Sequence, residues 1–249
     1  MLLEQSGVCC MIARAKAGIK KMLGSLTSVV TNERVAALTF DDGPHPEFTP
    51  QVLDILNRHQ AHATFFMVGQ AAQQYPELVR RVGEAGHAIG GHSWDHCSFR
   101  RLSGHERRRQ MRACQEVLAP YGFPLVRPPY GEQSVAARLD AFRMGYEVVG
   151  WTFDVGDWYE PDASLMADRL VKWLQPGSVV LLHDALFDQS KPADQRKHER
   201  QSHADRKCML RALDEALMRL RQRYKFVTVP ELLRHGIPYR TFWFKKFVY

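Results

Sequence analysis

From Val35 onward, short apolar runs alternate with stretches whose apolar residues recur every three or four positions. The first run, 35–40, is uniformly apolar apart from Thr39 and reads as a strand buried on both faces. Val52, Leu53, Ile55 and Leu56 then share one helical face, with Thr49 as the expected N-cap and Pro50 in the first turn. The same reading predicts strands over 64–68, 88–90, 125–127, 147–152, 178–182 and 226–229. Between and after them it predicts helices over 76–85, 105–118, 135–144, 163–174, 208–223 and 230–234. The 105–118 helix carries Arg107, Arg108, Arg109 and Arg112, which reads as a solvated basic face. Strands alternating with helices of this length imply an α/β fold with a parallel sheet, either an open doubly wound sheet or a barrel. No linker interrupts the pattern, so one domain over 32–249 is expected.

Three stretches fall outside that rhythm. Residues 1–31 form a basic amphipathic segment, in which Ile12, Ala15, Ile19, Met22, Leu23 and Leu26 share a helical face opposite Arg14, Lys20 and Lys21. Such a helix packs on the domain or lies on a membrane surface. Residues 185–207 form a polar insertion dense in Asp, Gln, Lys, Arg and His, of the kind that serves as a functional lid or as a disordered insertion. The C-terminal residues 239–249 mix aromatics with lysines, a composition suited to a membrane interface or to a docked tail.

Composition narrows the class without choosing a function. The 249 residues are 45% hydrophobic and 24% charged, which excludes disordered and fibrous chains. The net charge of +7 favours acidic surroundings, but no basic-aromatic motif accompanies it, and nucleic acid is not an expected partner. Five scattered cysteines without a C-x-x-C pair read as free thiols in a reducing compartment. No secretory signal or spanning segment is legible, so the expected location is cytoplasmic, with peripheral contact at the inner membrane face through the two ends. No obligate protein partner is expected.

Chemistry enters at the strand ends. The run 35–40 ends in Asp41-Asp42-Gly43-Pro44, where two adjacent carboxylates repel unless a cation or a donor separates them. A solvated Asx turn would explain the pair in isolation, and either carboxylate could reach a metal from such a turn. His92 and His96, four residues apart after the 88–90 strand, could converge on one divalent ion with a carboxylate as third ligand. Arg127-Pro128-Pro129-Tyr130, Asp154 to Trp158, and His183-Asp184 likewise follow predicted strands. In a parallel sheet or barrel, strand C-terminal ends share one face, and sites are built there.

The five clusters, in this order and spacing, resemble the polysaccharide deacetylase family (NodB-homology domain, carbohydrate esterase family four), over about residues 35–229. The resemblance implies a distorted (β/α) barrel of about seven parallel strands with its active site at the strand C-terminal ends. It implies metal-dependent deacetylation of N-acetylated sugars, with zinc as the expected divalent ion. Carried over residue by residue, it makes Asp42, His92 and His96 the metal ligands and Asp41 the general base, held by Arg127. It makes His183 the general acid oriented by Asp154, the backbone N–H of Tyr130 an oxyanion donor, and Trp158 with Leu181 the pocket for the acetyl methyl. Val126 stands where relatives often carry an aromatic, and the 185–207 insertion is longer than the usual connection. Two other readings are a silent carbohydrate-binding relative and an amide hydrolase for small non-sugar molecules; the complete set of proposed ligands, base and acid weighs against both.

Overall fold

A computed structural model describes residues 18–187 and 205–242. Seven parallel strands curl into a half-barrel in the order β6-β5-β4-β3-β2-β8-β7. They are β2 (Val35–Asp41), β3 (Ala63–Met67), β4 (Ala88–Gly91), β5 (Gly122–Val126), β6 (Glu147–Val148), β7 (Phe153–Asp154) and β8 (Val179–His183). A short β9 (Lys225–Phe226) also pairs with the start of β2. The stretch expected to be one strand over 147–152 is divided: β6 pairs with β5, and β7 pairs with β8. The two edges of the half-barrel are therefore consecutive pieces of one segment.

The divergence between β6 and β8 is filled by a strand the sequence pattern did not anticipate. Residues 18–23 are helical, but the chain turns at Gly24 into β1 (Ser25–Val30). Gly24 permits this because a Cβ there would meet the Lys20 carbonyl oxygen at 2.6 Å and the Arg240 Cβ at 2.9 Å. The expected basic helix thus ends before Leu26, and residues 25–30 are integral to the barrel instead of standing apart with 1–24. Leu26 bridges Val149, and its carbonyl accepts from Gly150 N at 2.7 Å. At the other end of β1, Val29 N donates to Gly177 O at 2.9 Å. β10 (Ile237–Thr241) runs antiparallel along β1. The first 17 residues, the middle of the expected insertion (188–204) and residues 243–249 lie outside the described residues.

Alternation along the central strands explains where the site forms. Leu38, Phe40, Val180 and Leu182 pack outward against the helices, among them α1 (Phe48–Arg58), α6 (Ala163–Trp173) and α7 (Lys207–Leu220). Val35, Ala37, Val179, Phe66 and Leu125 instead join Leu26 and Val29 in the second cluster, filling the barrel. With a period of two, Thr39 and Asp41 follow Ala37 inward, and Leu181 and His183 follow Val179. Register supports this, since Thr39 pairs with Leu181 and Asp41 with His183. Aliphatic side chains thus fill the lower barrel, and polar groups occupy its C-terminal mouth.

Two local expectations are corrected. Thr49 is not the cap of α1, which starts at Phe48 behind Glu47 without a side-chain cap. The Thr49 hydroxyl accepts from His45 N at 2.7 Å and donates to the buried Asp184 carboxylate, so a tertiary partner displaced the capping role. The helix α4 (Gly104–Leu118) opens with a capping box between Ser103 and Glu106, but its arginines are not all solvated. Arg107 is buried against Asp140, with its Nε donating at 2.9 Å and Nη1 donating to Leu102 O at 2.6 Å. Nothing in the helical pattern reveals a carboxylate 33 residues away.

Candidate active site

The two adjacent acids are separated by backbone geometry. Asp41 is still on β2 and points inward, whereas Asp42 leaves the strand at φ +75. Ser93 and His96, in the loop after β4, and Tyr130, in the turn after β5, also lie at positive φ, at +66, +63 and +60. Each such non-glycine conformation costs about 1–2 kcal/mol and persists only where its surroundings enforce it. Four of the five in the described residues belong to this one mouth.

Arg127, immediately after β5, is completely buried and organises one side. Its Nη1 donates to Asp41 Oδ1 at 2.7 Å and to Thr39 Oγ1 at 2.8 Å, and its Nη2 donates to Gly150 O at 2.8 Å. The guanidinium lies 4.2 Å from the centre of the Phe66 ring. Burial pulls Arg127 below its ordinary pKa, and Asp41 pulls it back, which leaves a guanidinium still charged. Asp41 Oδ1 is thereby fixed, while Oδ2 turns toward His92 Nε2 at 3.8 Å.

Asp42, His92 and His96 form the other side. Asp42 Oδ1 lies 3.3 Å from His92 Nε2 and 3.1 Å from His96 Nε2, and all three residues are buried. His92 Nδ1 sits 2.7 Å from the Arg127 carbonyl, which can only accept. Nδ1 therefore carries a proton, and Nε2 is the ring nitrogen that faces the carboxylate. Asp42 Oδ1 is buried and makes no hydrogen bond, although its companion Oδ2 accepts from Phe187 N at 3.1 Å. Burial acts to raise the Asp42 carboxyl, but His96, His92 and His183 outweigh it and hold it well below the usual range. Two imidazole Nε2 atoms converging on one buried carboxylate oxygen are an arrangement in which a divalent cation would take the place of the ring protons, and one carboxylate with two imidazoles is a donor set suited to zinc.

The loop carrying His96 is a tight loop, not a helical turn. The Gln110 amide oxygen accepts from Trp94 N at 2.7 Å and Asp95 N at 3.2 Å, while its Nε2 donates to Asp95 Oδ2 at 2.8 Å. Gly69 N donates to Ser93 O at 3.0 Å, and a Cβ on Gly69 would meet the Trp94 ring at 2.5 Å. Gln110 and Gly69 lie on elements distant in sequence, and periodicity gives no sign of either contact.

The expected partner of His183 is corrected. Asp157, not Asp154, receives its Nδ1 at 2.9 Å, and the second Asp157 oxygen accepts the His183 backbone N–H at 2.8 Å. Asp154 ends β7 and accepts instead from Gly156 N and, at 3.4 Å, from Trp158 Nε1. Both aspartates follow the same strand, and only the loop's turn at Gly156, with φ +82, decides which reaches the imidazole. Burial acts to lower His183, but Asp157, followed by Asp42 and Asp41, raises it to about 9. Arg206, absent from the expected set, places its Nη1 2.9 Å from Asp157 O and 3.6 Å from Asp157 Oδ2. Asp184 was expected only as the neighbour of His183; it is fully buried, and burial with Asp42 raises it to about 7.

The remaining expected residues line the mouth. Tyr130 lies in the Pro129–Gly131 turn with its ring 4.6 Å from that of His96. Leu181 is buried on β8, inward and two residues below His183. Trp158 is partly exposed at the rim, edge-on to Tyr159 at 4.7 Å.

Strand ends of a parallel half-barrel that gather a carboxylate–imidazole triad, an Arg-held carboxylate and an Asp–His pair define the class as a hydrolase barrel. Comparison with known proteins supplies the family. A polysaccharide deacetylase family model matches residues 28–149. A peptidoglycan-N-acetylglucosamine deacetylase of Bacillus cereus is 36% identical over 212 residues, 83% of this chain and 92% of that protein. A chitooligosaccharide deacetylase of Azorhizobium caulinodans is 36% identical over 167 residues, 66% and 80% of the two chains. The structure of the peptidoglycan deacetylase PdaC from Bacillus subtilis superposes with a TM-score of 0.69 at 33% identity, covering 83% of this chain and 93% of that one. The chain belongs to the polysaccharide deacetylase family.

Proposed function

We propose that the protein hydrolyses the acetamido group of N-acetylglucosamine-containing oligosaccharides or glycan intermediates, releasing acetate and a free amine in a metal-dependent reaction. The observation that carries this reading is the buried Asp42 Oδ1, which makes no hydrogen bond and lies between two imidazole nitrogens, beside an Arg-fixed carboxylate and an Asp-supported histidine. Similarity to deacetylases of chitooligosaccharide and peptidoglycan directs the choice of substrate.

Asp42, His92 and His96 would hold the ion, with zinc the first candidate. When bound, a divalent ion supplies Lewis acidity at the amide carbonyl and lowers the pKa of water toward about 7. Asp41 would act as base; that Arg127 engages Oδ1 and leaves Oδ2 on the side of the triad supports this reading. It takes a proton from the water that adds to the carbonyl carbon. His183 holds its Nδ1–H on Asp157, which leaves the Nε2 proton for the departing nitrogen as the C–N bond breaks. The Tyr130 backbone N–H, in its enforced turn, is the candidate donor to the developing oxyanion. Leu181 and Trp158 are the candidate walls for the acetyl methyl.

The test is acetate release from N-acetylglucosamine oligomers, peptidoglycan and acetylxylan, with and without chelator. Release from the first two that chelator abolishes and zinc restores is the expected result. Tight oligomer binding without acetate would instead identify a silent carbohydrate-binding relative.

A further inference from the structure

We infer that Arg206 is a positioning residue for the acid: it shares the carboxylate of Asp157 with His183, and so keeps Asp157 compensated while the imidazole gives its Nε2 proton to the departing nitrogen. The inference rests on the reaction proposed above and adds one residue to it. Arg206 falls inside the stretch 185–207 whose composition reads as a polar insertion, and nothing in that composition sets it apart from its charged neighbours. The fold does. Arg206 immediately precedes α7, and its carbonyl accepts from Leu210 N at 2.9 Å. Its backbone is therefore set by the first turn of a helix whose Leu210, Leu213 and Leu217 are buried in the core. Its side chain is only 3% exposed.

At Asp157 the guanidinium meets a carboxylate with no exposed surface. Nη1 donates to the Asp157 carbonyl at 2.9 Å and lies 3.6 Å from Oδ2. His183 holds the other side, with Nδ1 2.9 Å from Oδ1 and its backbone N–H donating to Oδ2 at 2.8 Å. One buried carboxylate thus stands between two cations when the ring is protonated, and beside one when it is not. Burial pulls Arg206 below its ordinary pKa, and Asp157, ahead of Asp42 and Asp205, pulls it back, which leaves a guanidinium still charged. A buried carboxylate is costly without a compensating charge. Without Arg206, the ring proton would be the main counter-charge of Asp157, and its transfer to the amine would strand the carboxylate. With Arg206 in place, Asp157 keeps a partner through the transfer. The other groups that act on His183 are Asp42 and Asp41 at the end of β2 and Asp154 on β7, and all three are carboxylates. The guanidinium opposes them: a cation beside Asp157 disfavours the protonated ring and makes it a readier donor.

Acetate release by the zinc-loaded full chain, followed across pH, tests this. Arg206→Gln keeps a donor for the Asp157 carbonyl and removes the charge. It should lower kcat about ten- to a hundred-fold, the range of one charge-assisted contact. KM should hold, because neither side chain is exposed to substrate. The alkaline limb of kcat should move to higher pH, since the acid form is lost as pH rises through the His183 pKa; Asp157→Asn moves it the other way. Arg206→Lys keeps the charge and should recover both the rate and the limb. Added to Asp157→Asn, Arg206→Gln should cost little more, because the two losses share one interaction. That double variant strands no buried charge, so it reads the coupling even where Arg206→Gln alone fails to fold. A limb that stays in place or falls in Arg206→Gln would overturn the inference, as would an Arg206→Lys variant no better than Arg206→Gln, or a double variant far below Asp157→Asn. Heteronuclear NMR titration of the His183 ring reads the same upward shift without turnover. A wild type that releases no acetate would therefore overturn the reaction, and an unmoved ring titration in Arg206→Gln would overturn the role of Arg206.

Discussion

Asp157→Asn against Asp154→Asn tests the pairing that the loop after β7 imposes. Asp157 receives both the Nδ1 and the backbone N–H of His183, at 2.9 and 2.8 Å. An asparagine can satisfy only one with its oxygen, and its amide then opposes the other donor. Asp157 is also the leading influence that raises His183 to about 9 against the downward pull of burial. A cation bound at Asp42 would offset the smaller pull of Asp42 and Asp41, leaving Asp157 as the main support of the protonated ring. Without that carboxylate, the imidazole falls toward or below its ordinary 6.5. Each pKa unit below the assay pH removes about ten-fold of the acid form, about 1.4 kcal/mol. Losing a general acid costs about 10²- to 10⁴-fold. Because the acid form is lost as pH rises through the His183 pKa, the alkaline limb of kcat should also move to lower pH. Asp154 touches only Gly156 N and Trp158 Nε1, so Asp154→Asn should cost less than about ten-fold, the loss of one hydrogen bond of about 1 kcal/mol. Acetate release from N-acetylglucosamine oligomers across pH reads both. An Asp154→Asn defect equal to or larger than that of Asp157→Asn would refute the reasoning.

Three further outcomes follow from the same mouth. Zinc at a hundred times its dissociation constant should stabilise the folded chain by about 2.7 kcal/mol. Thermal unfolding should show this shift in the wild type and lose it in Asp42→Ala, whereas Asp41→Asn should keep the shift while losing about 10²- to 10⁴-fold in kcat. Arg127→Met leaves buried Asp41 unpaired and should cost about 3–5 kcal/mol in urea unfolding, with acetate release lost as well. Burial holds Asp184 near 7 when folded, against about 3.9 when unfolded, so the stability tied to its proton is present at low pH and lost as pH rises through that interval. In chelator, Asp184→Asn should therefore lose less stability than the wild type between pH 5 and pH 8 by urea unfolding.

The strand–helix alternation, the parallel sheet and the location of polar clusters at strand ends were legible in the sequence. They depend on hydrophobic periodicity, which each segment carries by itself. Leu26 was misplaced on a helical face because β1 has no local pattern; it is a strand only where β10 and the gap beside Val149 receive it. Arg107 and Thr49 were misread for the same reason, since Asp140 and Asp184 reach them across the fold. The adjacent acids show the division most sharply. Sequence alone put two carboxylates at the end of a buried strand and left either able to reach a metal. Tertiary structure turned Asp41 inward to Arg127 and, through an enforced positive φ, Asp42 toward His92 and His96. It likewise chose Asp157 over Asp154 for His183. Periodicity states which face of an element is buried; which side chain meets which depends on the register and turns of elements far apart along the chain.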